Sequence, residues 1–261
     1  MLQPGWRSEA LSMKPRGLTI VGTLLGSLVL MIWLTRTAPS PAALRVMDFA
    51  KEHGIAYSDY PPCLIQLMDD NPEAEDFVLC YPLLKQEAAD LSGYDPAQGV
   101  PLFVQWDLQW GGLAYGGDYV AVSGSGAMCL AMAGWHLTGG GAEFYPDRVV
   151  ESLREAQLDK GEGGIHRQLI SKGSEALGLK ATGIALVEKK VSGYLKNGDP
   201  IVALMEPGEL TDSARYILLT GWHDGRISIN DPGSRVNSLY EWDFDFLAKQ
   251  VKNLWVIHRI Q

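Results

Sequence analysis

An uncharged run of eighteen residues, from Gly17 to Leu34, constrains this chain more than any other feature. As a helix rising 1.5 Å per residue, GLTIVGTLLGSLVLMIWL spans about 27 Å, close to the hydrocarbon core of a bilayer. Lys14 and Arg16 precede the run, and only Arg36 follows closely. The positive-inside rule then leaves residues 1–16 as a cytoplasmic tail, 17–35 as a transmembrane anchor and the remainder outside the cell membrane. Removal as a signal peptide is the alternative. The run exceeds the usual signal core of about 7–15 residues, and no clean small-x-small cleavage site precedes the prolines at 39 and 41, which favours an uncleaved anchor.

Charge sharpens this division. The 261 residues carry a net −9, yet residues 1–36 hold Arg7, Lys14, Arg16 and Arg36 against Glu9, a net +3, which leaves −12 for the body. An acidic body lacks the basic footprint a general nucleic-acid binder needs, so no nucleic acid is expected as a partner. At 46% hydrophobic and 20% charged, the chain is a folding sequence rather than a disordered one. Its cysteines, Cys63, Cys80 and Cys129, are too few for a disulfide scaffold, and a Cys63–Cys80 bridge is left open. No CxxC or His-rich spacing suggests zinc, and the glycines before residue 125 lack the GKS/GKT ending of a phosphate loop. No metal or cofactor is expected.

Beyond the anchor, Ser40-Pro41 opens a capped helix that stops at Gly54, a second helix follows Pro61-Pro62, and a third runs from Pro72 to about Cys80. These form an expected helical juxtamembrane arm, completed by a polar linker, over residues 36–98. The main domain is expected over 99–261. PLFVQW reads as a short strand, and residues 111–126 contain too many glycines for regular structure. A helix then runs from about Ser125 to Leu137, followed by helices from Pro146 and over 166–177. Strand-like runs come later, at 180–186, 200–205, 214–221, 226–231 and 254–260, with helices at 187–197 and 241–250 between them. Helices first and strands later define an α+β domain in which N-terminal helices pack on an antiparallel sheet.

The chemistry gathers where glycines feed a helix. A small residue at a helix N-terminus is where thiol nucleophiles sit, because the dipole favours a thiolate. The stretch Gly124-Ser125-Gly126-Ala127-Met128-Cys129-Leu130-Ala131-Met132, the strand Ala214-Arg215-Tyr216-Ile217-Leu218-Leu219-Thr220-Gly221 and the later Asn230-Asp231-Pro232 follow one another in a specific order. Upstream lie Val100 to Asp107 and Trp110. In this order they resemble the papain-like cysteine peptidases of the bacteriocin-processing, double-glycine type, family thirty-nine, over about residues 60–261. Asn71-Pro72-Glu73 and Phe77-Val78-Leu79 resemble membrane-anchored bacterial members.

The resemblance implies a papain-like fold with Ser125 at the nucleophile position, Arg215 at the base position, Asp231 as third member and Gln105 as an oxyanion donor. Gln105 also reads simply as a strand residue at a loop edge. Two positions depart from the family, which has cysteine and histidine there. A serine hydroxyl needs an adjacent base, and an arginine stays protonated and cannot be one. Arg215 is instead expected to bond Asp231 across a hairpin, preserving the site's shape without its proton chemistry. Cys129, one turn past Ser125, reads as a core residue. His223 lies about 26 Å along the strand from Arg215, His136 near the far end of its helix, and His53 and His258 elsewhere. His166 is the candidate base least excluded. The sequence thus implies a degenerate domain that binds a peptide or protein partner in the former cleft. An active peptidase using other residues, or carrying an introduced Ser125, is the alternative.

Overall fold

In the computed structural model the described residues are 38–85, 87–160 and 168–260. The expected anchor at 17–35 and His166 lie outside them. Among the described residues, no helix is long and apolar enough to cross a membrane. The chain divides into two compact units, residues 1–41 and 42–261, and the second is described by itself.

Three helices lead the body: α1 (Pro41–His53), α2 (Pro62–Asp70) and α3 (Glu75–Cys80). Pro41 opens α1 with its φ already helical, and Gly54 ends it at φ +67°, a left-handed turn that L side chains rarely adopt. α1 buries Ala42, Ala43, Val46 and Ala50, a stripe at helical spacing. α2 buries Leu64, Ile65 and Met68, and α3 buries Phe77, Val78 and Leu79. These side chains share one apolar cluster with Val104, Trp106 and Ala121. The expected arm is therefore part of the body, and no structural boundary falls at residue 98. Cys63, Cys80 and Cys129 are free thiols.

Residues 100–106 form no strand, contrary to the alternation of PLFVQW. Their backbone groups find partners outside any ladder. Asn230 Nδ2 donates to the carbonyls of Val100 and Pro101, Phe103 N donates to Met132 Sδ, and Gln105 N donates to Pro232 O. Side chains here are buried among two apolar clusters, so the local preference for a ladder is overridden. The glycine-rich stretch, in turn, is more regular than expected. It holds a tight hairpin, β1 (Ala114–Tyr115) and β2 (Asp118–Tyr119), and a single-turn helix, α4 (Val120–Ser123).

The buried helix of the domain is α5 (Ser125–Thr138), with every residue from Ser125 to Trp135 out of solvent. Gly126 allows close approach: a Cβ there would collide with Leu169 and Tyr216. Two helices flank it, α6 (Pro146–Glu155) and α7 (Leu169–Ala176).

The sheet follows: β3 (Leu179–Ile184), β4 (Ile201–Met205), β5 (Arg215–His223), β6 (Arg226–Asn230), β7 (Glu241–Asp243) and β8 (Val251–Arg259). All neighbours are antiparallel, in the order β3-β8-β4-β5-β6-β7. Three short helices interrupt the strands: α8 (Glu188–Lys196), α9 (Arg235–Ser238) and α10 (Phe244–Ala248). The helix expected over 241–250 is thus split into β7 and α10, because Glu241 to Asp243 pair with β6. Side chains alternate across the sheet. Val202, Leu204, Tyr216 and Leu218 face the cluster of α5, while Ile201, Ala203, Met205, Ile217 and Leu219 face that of α8. Covered on both faces, β4 is buried at all five residues, which is why it reads as one apolar run. The α+β architecture expected from the sequence is observed.

Candidate active site

Three local events assemble the site. The chain enters α5 at Ser125, enters β5 at Arg215, and leaves β6 just before Asp231. The β5–β6 hairpin turns at Asp224 and Gly225, both at positive φ. Its register runs from His223↔Arg226 to Leu218↔Asn230, with a shift between Leu219 and Gly221. The ladder then stops, because the chain turns back: Ser234 N donates to Asp231 O at 3.0 Å. Asp231 therefore reaches Arg215 by its side chain and not through continued strand pairing.

The pair itself is as expected. Arg215 Nη2 donates to Asp231 Oδ2 at 2.8 Å. Asp231 is wholly buried, and the Arg215 side chain is 21% exposed. The carboxylate is also served by Asn237 Nδ2 on Oδ2 at 2.8 Å and by Gly233 N on Oδ1 at 2.9 Å. An ionised carboxylate this deep is tolerable only because a cation and two further donors replace its water. The guanidinium lies so close over Gly233 that a Cβ there would stand 2.8 Å from Nη1. Arg215 Nε is buried without a partner.

Ser125 is 4% exposed, and its Oγ accepts from Tyr216 N at 3.2 Å. The β5–β6 ladder begins only at Leu218, so the hydroxyl takes a strand amide beyond the ladder's end. Ser125 is thereby tied to the strand that carries Arg215. Gln105 is also beside the site, since its N–H reaches Pro232 O at 2.8 Å. Its side-chain amide, however, donates to Ala121 O at 2.7 Å and Val122 O at 3.3 Å, so its donors are engaged by the backbone of α4 rather than available to an oxyanion. Its Oε1 is buried without a partner.

Other candidates are drawn elsewhere. Cys129 is fully buried, and that burial, with the Asp231 charge nearby, pushes its thiol well above the ordinary cysteine value. It is a thiol at working pH, not a thiolate. His53 stacks on Phe49, His223 pairs with Glu241, and His258 lies 3.5 Å from Asp199. His136 is in the last turn of α5. Among the described residues, Trp106, Trp110 and Trp135 are buried in the apolar clusters, and Trp222, Trp242 and Trp255 pack partly buried against them. Among the described residues, no group of three or more His, Cys, Asp or Glu is placed to hold a metal ion.

The structure adds residues that the sequence did not single out for the site. Asn237 and Gly233 complete the shell of Asp231, and Ser238 Oγ accepts from Asp231 N at 2.8 Å. The leading helices also hold the loop after Asp231. Asn71 Nδ2 donates to Gly233 O at 2.9 Å, and the Glu73 carboxylate accepts from Ser234 Oγ at 2.7 Å and Arg235 N at 2.8 Å. Arg235 in turn stacks on Trp106 at 4.1 Å. Asn71-Pro72-Glu73 stood out in the sequence, but nothing local links it to residues some 160 positions away.

No protein-family model matches the chain, and no curated protein matches it. Among solved structures, the peptidase domain of Streptococcus ComA, a bi-functional ABC transporter involved in a quorum sensing pathway, is similar at 14% identity, with 52% of this chain and 91% of that chain covered and a TM-score of 0.41. A C39-like peptidase from Bacillus anthracis is similar at 15% identity, with 67% of this chain and 100% of that one covered and a TM-score of 0.38. Both scores are low, and neither likeness decides anything about the site.

Proposed function

We propose that this chain is a membrane-anchored, extracytoplasmic domain of the papain-like peptidase type whose catalytic pair has been replaced by structural residues, and that it binds a peptide or protein partner in the former cleft. The Arg215–Asp231 pair carries this reading. A base position filled by a permanently charged guanidinium, bound to a buried carboxylate, has no means of accepting a proton from Ser125. The Ser125 hydroxyl is an acceptor for a strand amide, a packing role rather than that of an activated nucleophile. Anchoring rests on the uncharged run at 17–34 and on the acidic body that follows it.

The test compares hydrolysis of a mixed peptide library by the full chain and by the Ser125→Cys/Arg215→His double variant. The leading helices share a core with the rest, so the body is not divided. The chain as written is expected to be inert and the variant to cleave, since a histidine at 215 can still face Asp231. Cleavage by the unaltered chain would overturn the noncatalytic reading. Inertness of a folded variant whose new thiol is alkylated at neutral pH would count against descent from a peptidase.

A further inference from the structure

The feature that the site does not absorb is an apolar tip on the loop beyond Asp231. Val236, Leu239 and Tyr240 fall within five residues and are 51, 79 and 60% exposed. The turn that presents them is held from behind by polar bonds. Asn237 Nδ2 donates to Leu210 O at 3.2 Å as well as to Asp231, Ser238 Oγ donates to Ser234 O at 2.8 Å, and Trp242 Nε1 donates to Asn237 O at 3.0 Å. A braced turn that exposes three large apolar side chains is a surface feature built for contact.

Its tethers say which contact. Ser234 and Arg235 are bonded to Glu73, and two residues on, Glu75 pairs with Arg45 Nε at 2.8 Å. Arg45 is one helical turn from Pro41, where α1 begins. Only residues 35–40 separate α1 from the uncharged run, a reach of at most about 21 Å. Two short polar links therefore join the tip to the helix that follows the membrane segment in the chain. α1 itself exposes Leu44 and Met47, three residues apart on one helical face.

We propose that Val236, Leu239 and Tyr240 seat in the lipid–water interface of the bilayer that holds residues 17–35. This rests on the anchoring part of the reading above. Tyrosine beside aliphatic side chains suits that interface, where a ring buries its body and keeps its hydroxyl wet. Glu241 follows the tip directly and Glu209 lies beside Leu210, whose carbonyl Asn237 holds, against the cation of Arg235. The seat is therefore apolar and suited to neutral headgroups rather than to anionic ones.

The full chain reconstituted into phosphatidylcholine vesicles tests this. A bimane label on Leu239→Cys is read for quenching by doxyl-labelled lipid, with Lys180→Cys on β3 as the exposed control and the unsubstituted chain as background. Quenching is expected at 239 and not at 180, with most of it lost when Val236→Ser and Tyr240→Ser are added. A chain that floats with vesicles and resists alkaline carbonate, yet is unquenched at 239, would keep the anchor and overturn the seat. A chain that does not float would overturn the anchoring reading and the seat with it. A blue-shifted label without lipid quenching would show the tip covered by protein, a partner or a second copy, and would overturn the proposal. Because the tip is exposed, these substitutions are expected to leave the melting temperature unchanged.

Discussion

Strand β5 of the β5–β6 hairpin carries a base at each end, each against an acid from another part of the chain, and the two pairs are alike only in their separation. At the turn, His223 Nδ1 stands 2.8 Å from Glu241 Oε1, with side chains 64 and 43% exposed. At the open end, Arg215 stands 2.8 Å from an Asp231 that is wholly buried. Water solvates the first pair whether or not it is formed. In the second, donors from Arg215, Asn237 and Gly233 take the place of water around the carboxylate. The same distance thus means little at one end and much at the other. At the open end, burial makes a fixed charge pair costly to break.

The largest expected effect breaks that comparison at its strong end. Arg215→Ala leaves a buried carboxylate with two neutral donors and no cation. The expected loss is about 3 kcal/mol, toward the low end for a broken buried pair because the guanidinium is partly wet. For a body of this size that corresponds to a fall in melting temperature on the order of 10 °C. Thermal unfolding of the variant checks it. A fall no larger than that of an exposed-pair mutant would mean that Asn237 and Gly233 suffice, and that Arg215 is there for a ligand instead.

Ser125 ranks next. Ser125→Ala removes the acceptor that holds Tyr216 N, at a site closed to water, with an expected cost of about 1 kcal/mol. Ser125→Cys, a weaker acceptor of nearly the same shape, is expected to fall between the two. Denaturant unfolding at constant m-value measures both. A Ser125→Ala variant as stable as the parent would remove the packing role assigned to this hydroxyl and restore interest in its reactivity.

Much of this region was legible in the sequence, and the reason is locality. Pro41 and Gly54 bound α1, the glycine-to-helix transition places Ser125, and the apolar runs of β4 and β5 announce a covered sheet. The Arg215–Asp231 pair was also reachable, since a tight hairpin brings residues sixteen apart together. The spacing did not reveal the shift near Gly221 or the turn at Asp231, because a bulge depends on neighbours that no spacing rule records. The strand expected at 101–106 failed for a similar reason. Its alternation is genuine, but its partners are an asparagine side chain, a methionine sulfur and a loop carbonyl. Asn71 and Glu73 were out of reach altogether, as their bonds to residues 233–235 exist only once the leading helices have packed.

The smallest effect sharpens the comparison at its weak end. His223 and Glu241 meet across the outer strands, joined by Ser228 Oγ, which lies 3.4 Å from His223 Nδ1 and 3.3 Å from Glu241 Oε1. This serine, histidine and acid do not form a catalytic relay. Both partners approach the same ring nitrogen, whereas a relay needs the acid on one nitrogen and the hydroxyl on the other. The trio is therefore expected to be a strand-edge contact only. Glu241→Gln and His223→Ala, alone and together, are expected to show a coupling below about 0.5 kcal/mol that shrinks as salt is raised. A double-mutant cycle in low and high salt measures it. A coupling as large as the loss from Arg215→Ala would break the contrast between the two ends, because exposure would then no longer decide what a charge pair contributes to this sheet.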